Sequence, residues 1–369
     1  MKARYMTLQQ RIDAKRREIR TDGYPVSIGE WMSLYEQGEL DIHPEFQRFF
    51  RWTPVQKTAL IESILLGIPI PSIFVSQRAD GVWDVVDGLQ RLSTIFQFVG
   101  ILKDEEGRQV PPLILEPTKY LPELKWVKWD GGPTESLPPE SRLIVKRSKI
   151  NSSIILRESD ENAKYDLFQR LNTGGSQASD QEVRNCILVM INPTMLRWMK
   201  DLAQDENFHE CVALSDRPLL EAYDLELVLR FLLFYDLDET ALASIGDVGA
   251  YLTDRMRLIA ADANYNTSAH EVVFRRTFKI LQENLSDSSF KRFNVDRQKF
   301  QGGFAISQFE AVAYGVGYNV ARGITPTNIG RKVADLWITR DYTDWTGSGI
   351  TAARRLPRIV PLGRRLFAS

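Results

Sequence analysis

The chain has 369 residues, 43% of them hydrophobic and 26% charged, with 47 Lys and Arg against 48 Asp and Glu. That composition supplies a sizeable core, excludes a disordered chain, and on length predicts two domains or one large one. The near-neutral balance excludes a generally polycationic DNA-coating protein, while leaving room for a local basic patch.

The first 20 residues hold seven Lys and Arg against two acidic residues and have no apolar signal core. They read as a solvated helix or a basic arm. Tyr24 to Val26 is a short strand candidate. Ser27 followed by Glu30 predicts an N-cap, and Gly38 closes that helix. Thr53, Pro54 and Gln56 predict a capping box with proline in the first turn. Leu60, Ile61, Ile64 and Leu65 form the apolar face of that helix, Gly67 ends it, and Pro69 and Pro71 force an extended connection.

Ile73 to Ser76 and Val82 to Val86 are rich in β-branched residues and flank an Asp80-Gly81 turn, so they predict paired strands. Asp87-Gly88 follows directly. Leu89, Leu92, Ile95, Phe96 and Val99 then repeat at helical spacing up to Gly100. Residues 104 to 141 are rich in Pro, Gly and charge, with Trp126 and Trp129, and predict an insertion or irregular lid. Leu143 to Lys146 and Ile150 to Leu156 are further strand candidates.

After Ser159 the pattern turns helical. Ser159 caps a helix holding Tyr165, Leu167, Phe168 and Leu171, which Asn172-Thr173-Gly174-Gly175 breaks. Ser179 with Glu182, and later Ser307 with Glu310, predict capping boxes. Leu225 to Phe234, interrupted by Glu226 and Arg230, reads as a core helix rather than a span, since no run reaches the roughly 18 apolar residues that a membrane helix needs. Cys186 and Cys211 have no Cys-x-x-Cys spacing and His43, His209 and His270 are scattered, so neither a disulfide framework nor a zinc site is expected, as suits a reducing cytoplasm. The expected fold class is α+β followed by a mainly α-helical part. The expected divisions are a basic segment at 1–23, an α+β domain at 24–157, a helical domain at 158–345 and a basic tail at 346–369.

Three segments carry candidate chemistry. At the strand–Asp87-Gly88–helix junction, a helix start offers backbone N–H groups to an anion, Gly88 admits a phosphate close to the backbone, and Arg91 can hold it with two hydrogen bonds. Asp87 can hold a metal or a water, and Gln90 can orient that water. A plain turn with a capping Asp and a solvent-facing Arg has the same spacing. Pro44-Glu45-Phe46-Gln47-Arg48, with Arg51-Trp52, suits recognition of ribose, base or phosphate, or equally a structural loop. In Phe168 to Gly175, Arg170, Asn172 and Thr173 can turn polar groups into a cleft, and Gln181, Glu182, Arg184 and Asn185 extend a polar face. The tail holds Arg354, Arg355, Arg358, Arg364 and Arg365 and no acidic residue. With the basic N-terminal segment and Arg142, Lys146, Arg147 and Lys149, it is a candidate DNA-backbone track or an ordinary solvated tail.

Taken together, these segments resemble a known family. A helix, two strands, a phosphate turn and a helix, preceded by Pro44-Glu45-Phe46-Gln47-Arg48, are similar to the ParB/sulfiredoxin-like fold. The closer resemblance is to the GmrSD restriction endonuclease N-terminal domain family, also known as domain of unknown function 262. Its matching pieces are Ile42 to Trp52, Leu60 to Leu65 running into Pro69-Ile70-Pro71, Val86 to Thr94, and Phe168 to Asn185, in that order.

The resemblance implies a site for a nucleoside triphosphate with Mg²⁺, with Asp87, Gln90 and Arg91 as catalytic residues, Gln47, Arg48, Gly88, Arg170, Asn172 and Thr173 as nucleotide-binding residues, and Asp87 as a metal ligand. The family's Asp-Gly-Gln-Gln-Arg segment has Leu89 here in its third position, so one polar group is missing. Sulfiredoxin-type chemistry is not expected, because the turn has no cysteine. Many members continue into an HNH nuclease, but His209 and His270 stand apart from any cluster of metal ligands. The expectation is therefore a nucleotide-binding, NTP-hydrolysing sensor or regulatory subunit of a bacterial anti-phage or modification-dependent restriction system, with DNA and a separate nuclease or effector as partners, no membrane, and homo-oligomerisation left open. Two other readings fit the same residues: a non-catalytic ParB-like DNA-binding adaptor, and a module restraining a toxic partner.

Overall fold

The computed structural model describes residues 20–42, 52–104, 106–159, 179–347 and 349–369. The chain divides into two compact units, Met1–Ala178 and Ser179–Ser369.

The first unit is built on a mixed sheet. Its strands are β1 (Thr21–Asp22), β2 (Pro25–Ser27), β3 (Leu40–Asp41), β4 (Ile73–Gln77), β5 (Trp83–Asp87) and β6 (Lys149–Ile155). They lie in the order β1–β6–β4–β5–β3, with β2 also on β6. The hairpin β4–β5 is antiparallel, whereas β4–β6 and β3–β5 are parallel. Helices α1 (Ile28–Glu36), α2 (Pro54–Leu65), α3 (Leu89–Val99) and α4 (Pro139–Arg147) complete the unit.

Local chemistry sets their starts. Ser27 caps α1 through the N–H of Glu30, and Thr53 and Gln56 form the full capping box of α2. Gly100 closes α3 in the left-handed region at φ 82°. Ile61, Ile64, Ile73, Val75, Leu92, Ile95 and Phe96 are buried together in one core.

One expectation fails here and one holds. Leu143 to Lys146 is not a strand but the middle of α4. Pro139 pre-sets the first helical turn, and of these residues only Val145 is buried. Residues 106 to 138 are irregular as expected, with one 3₁₀ turn at Pro122–Leu124, and they pack on the first unit. Leu113, Leu115, Leu124 and Leu137 are buried in the same core.

The second unit is mainly helical, with one hairpin. Its helices are α5 (Asp180–Ile191), α6 (Pro193–Ala203), α7 (Glu206–Val212), α8 (Asp216–Leu220), α9 (Tyr223–Phe234), α10 (Glu239–Ala243), α11 (Val248–Ala261) and α12 (Thr267–Leu285). The strands β7 (Lys291–Asn294) and β8 (Lys299–Phe304) follow, then α13 (Ile306–Ala321), α14 (Ile329–Leu336), α15 (Arg340–Thr343) and α16 (Ala352–Leu366). Among the described residues no helix is long and apolar enough to cross a membrane. Ser179 and Glu182 form the expected capping box of α5. Ser307 and Glu310 do not form one, because α13 starts two residues earlier with Ala305 as its uncapped entry. Both are buried, and Glu310 serves a different purpose.

Glu310 takes a bidentate ion pair from Arg355, with Nε at 2.6 Å and Nη2 at 3.0 Å. The basic tail is therefore not a solvated arm. Most of it is α16, packed along α13, with Leu356, Ile359 and Val360 buried. Arg364 is also turned inward, donating to the carbonyls of Phe234, Tyr235 and Leu237 and so capping the end of α9. A chain of buried charges continues across the unit: Arg230 donates to Glu226 at 2.8 Å, and Arg184 donates to Glu226 at 2.5 Å. Helices α13 and α16 meet through glycines. A β-carbon on Gly315 would lie 2.6 Å from the Gly363 carbonyl group, and one on Gly363 would collide with the Ala311 carbonyl oxygen.

Two predictions follow from this packing. Gly363→Ala forces the two backbones apart and should cost about 3 kcal/mol or more, read as a lower urea midpoint. Burial raises the Glu182 carboxyl above its usual range, against the opposing hydrogen bonds from Ser179. Below the ordinary glutamate range both folded and unfolded chains hold that proton. As pH rises through the folded value, the unfolded chain ionises freely and stability falls. Glu182→Gln keeps the capping box without the charge, so it should melt higher than the parent chain at pH 8 and alike at pH 4.

Candidate active site at the head of helix α3

The hairpin β4–β5 delivers Asp87 to the end of the sheet, and the chain turns at once into α3. Gly88 makes that turn possible. Its φ is +102°, a conformation that costs any other residue strain, and a β-carbon there would collide with Cδ1 of the buried Ile73. Because Gly88 is the N-cap, no side chain caps the first turn of α3, in contrast to Ser27 on α1 and Thr53 on α2. Backbone N–H groups in an uncapped first turn are suited to an anion.

Arg91 is held over this turn from two sides. Its Nη2 donates to Oδ2 of Asp87 at 2.8 Å and its Nη1 to the carbonyl of Pro71 at 2.9 Å. The side chain is only 11% exposed, so its geometry is fixed by the fold. Two of its five N–H groups are occupied in this way, leaving donors for a phosphate. Gln90 accepts the backbone N–H of Trp52 at 3.1 Å through its side-chain oxygen. Its amide nitrogen makes no other hydrogen bond among the described residues.

The structure thus brings Asp87, Gly88, Gln90 and Arg91 together at one turn. Gln47 and Arg48, and likewise Arg170, Asn172 and Thr173, lie outside the described residues. Two contributors were not anticipated, the Pro71 carbonyl and the Trp52 N–H. The Pro69-Ile70-Pro71 run was the available signal, since prolines fix the path that aims that carbonyl. Leu89 packs partly against the core.

Other sequence candidates sit elsewhere. Gln181, Glu182, Arg184 and Asn185, at the start of α5, are buried, and Arg184 is bound to Gln181 and Glu226. Arg355 is a buried partner of Glu310 and cannot touch a DNA backbone, so it leaves the basic track. Arg354 and Arg358 are exposed, and Arg358 lies over the Trp345 ring at 5.4 Å.

Asp87 is the one acidic side chain of the turn, and its carboxylate faces Arg91. Among the described residues no group of three or more His, Cys, Asp or Glu gathers to hold a metal ion. Burial pushes the Cys211 thiol up to about 12 and raises Cys186 as well, so neither is an activated nucleophile. A separate pocket of about 690 Å³ lies by β3, lined by Asp41, Ile42, Arg78 and Lys103 among others. Asp41 pairs with Asp84, toward the other end of β5 from Asp87.

Gly88→Ala tests the turn. It should cost about 1–3 kcal/mol of stability from backbone strain and the Ile73 contact, measured by chemical denaturation.

No curated protein and no solved structure matches the chain. The model of the GmrSD restriction endonuclease N-terminal domain matches residues 28–189, a range that takes in the whole of the turn and its supports. The chain is therefore related to proteins of restriction systems, and its residues 28–189 belong to the GmrSD restriction endonuclease N-terminal domain family.

Proposed function

We propose that the turn from Asp87 to Arg91 binds the phosphates of a nucleoside triphosphate, and that the protein is a nucleotide-dependent sensor or regulatory subunit of a bacterial restriction or anti-phage system. One observation carries the reading: the uncapped start of α3 stands beside an arginine already fixed by Asp87 and Pro71. Prepositioning of this kind lowers the ordering cost of capturing an anion.

The residues fit such a ligand. Gly88 keeps the backbone open to a phosphate, Arg91 supplies charged donors, and Gln90 has an amide nitrogen to spare. Asp87 is the residue that would hold Mg²⁺, which would supply charge neutralisation at the phosphates. In a ParB-like domain Gln47, Arg48, Arg170, Asn172 and Thr173 would complete the walls. Gln90 would orient a water for hydrolysis, although Leu89 replaces a polar residue of the family's motif. DNA and a separate nuclease or effector are the partners in this reading, and homo-oligomerisation is compatible with it.

A second reading has its own support. Arg91 already has two internal acceptors, as a purely structural arginine would, which favours an adaptor that keeps the ParB-like shape without turnover. The two separate in one titration series. Each triphosphate with Mg²⁺ is titrated into the full chain and into Arg91→Ala by calorimetry. The first reading predicts binding by the parent chain that weakens ten- to hundredfold in the variant, the scale of one or two charge-assisted hydrogen bonds. Equal binding by both, or none by either, would sink it. Gln90→Glu retains the acceptor for the Trp52 N–H while adding charge beside the phosphates, so it should leave the melting temperature alone and weaken binding.

A further inference from the structure

The loop between α3 and α4 carries three Lys–aromatic doublets: Lys119-Tyr120, Lys125-Trp126 and Lys128-Trp129. The third is structural. Lys128 is paired with Glu135 at 2.7 Å, and Trp129 packs edge-on against Phe98. The first two stand in solvent.

The loop beneath them is held firmly. Leu115 donates its N–H to the Val127 carbonyl, and Trp126 donates its own to the Leu115 carbonyl, each at 2.9 Å. The carboxylate of Glu62, on α2, accepts the N–H groups of Tyr120 and Leu121 at 3.2 Å and 3.1 Å and the hydroxyl of Thr118. On this fixed frame Tyr120 is 65% exposed and Trp126 is 64% exposed.

Nothing in the fold accounts for those rings. Exposure forgoes the burial that makes a tryptophan stabilising. Trp126 also has φ +69°, a left-handed conformation that non-glycine residues avoid. Both features work against folding, and backbone outliers of this kind collect at ligand clamps. Lys119 lies 5.5 Å from the Tyr120 ring centroid and Lys125 lies 5.7 Å from that of Trp126. Neither lysine has an ion-pair partner among the described residues; the exposed Glu123 between them is the local opposing charge.

We infer that Lys119-Tyr120 and Lys125-Trp126 form a binding surface for an unpaired nucleic-acid strand, with bases stacking on the rings and the lysines facing phosphates. Rings interleaved with cations are the physical requirement for holding single strands, because every base presents a stacking face. A duplex hides those faces. A protein partner fits less well, since lysine is depleted from the cores of protein interfaces. The inference does not depend on the nucleotide reading of the α3 turn.

Fluorescence anisotropy of a labelled oligothymidylate with the full chain tests it, against an abasic strand of equal length and a duplex. The parent chain should bind the oligothymidylate and prefer it to both. Tyr120→Ala with Trp126→Ala should weaken binding about tenfold or more. Lys119→Gln with Lys125→Gln should flatten the slope of log affinity against log salt by about 1.4, two phosphates' worth. Trp126→Gly relieves the backbone strain, so it should melt at the same temperature or about 2–4 °C higher while binding less. A lower melting temperature for Trp126→Gly would make the ring a structural support and overturn the proposal. So would equal binding by the parent and the ring-deleted chain, or no binding by the parent. Loss of self-association in the ring-deleted chain, without oligonucleotide binding by the parent, would reassign the surface to a protein contact. Arg91→Ala should leave this binding unchanged, which keeps it distinct from the triphosphate titration.

Discussion

The first unit's candidate site depends on the absence of one carbon atom. Gly88 lets the strand β5 become the helix α3 without an intervening loop, because only a residue lacking a β-carbon fits above Ile73 at φ +102°. Once that turn is made, Asp87 and Arg91 fall one helical turn apart and form their ion pair. Arg91 then reaches Pro71, so the entry to β4, the exit of β5 and the start of α3 are tied at one guanidinium. A more ordinary residue at the N-cap would supply a side-chain oxygen and satisfy the first turn internally. Glycine leaves that turn to be satisfied from outside.

The second unit solves a different problem. Its helices bury charged residues that apolar ones could replace, and a buried ion pair adds little net stability once desolvation is counted. The bidentate Arg355–Glu310 pair does fix how α16 lies on α13, and the Gly315–Gly363 approach admits one close alignment. Arg364 extends the same logic by capping α9 from α16. In sequence the tail arginines fit a DNA-backbone track or an ordinary solvated tail equally. Inside the fold Arg355 and Arg364 act as struts, while Arg354, Arg358 and Arg365 remain exposed.

Much of the first unit was legible because its signals are local. Thr53 and Gln56, Asp80-Gly81, Gly88 and Gly100 each act on their own backbone within a few residues, so spacing alone located α2, the β4–β5 turn and both ends of α3. What failed depended on distant partners. Leu143 to Lys146 looked like a strand from its branched residues, yet Pro139 starts a helix there and the core takes only Val145. Glu310 three residues after Ser307 imitated a capping box, although its carboxylate faces Arg355, 45 residues away in sequence. Helix α16 was hidden by Pro357 and Pro361, which argue against a helix even though Leu356, Ile359 and Val360 repeat at helical spacing. The site was half legible: the residues of the turn were clear, whereas Pro71 and Trp52 contribute backbone groups that no side-chain pattern announces.

Helix α2 supports both surfaces of the first unit. At its start, the N–H of Trp52 is held by Gln90 of the Asp87–Arg91 turn, and Lys57 donates to Gln97 further along α3. In its middle, Thr58 accepts the N–H of Glu116, and Glu62 gathers the backbone of Tyr120 and Leu121. The Glu62 side chain is mostly buried, so the loop cannot leave it without stranding a buried acceptor. A shift of α2 along its axis would therefore strain the Gln90 contact and the loop beneath Trp126 together. Because hydrogen bonds weaken steeply once distance and angle leave a narrow range, these contacts hold α2 in one register against both the α3 turn and the loop.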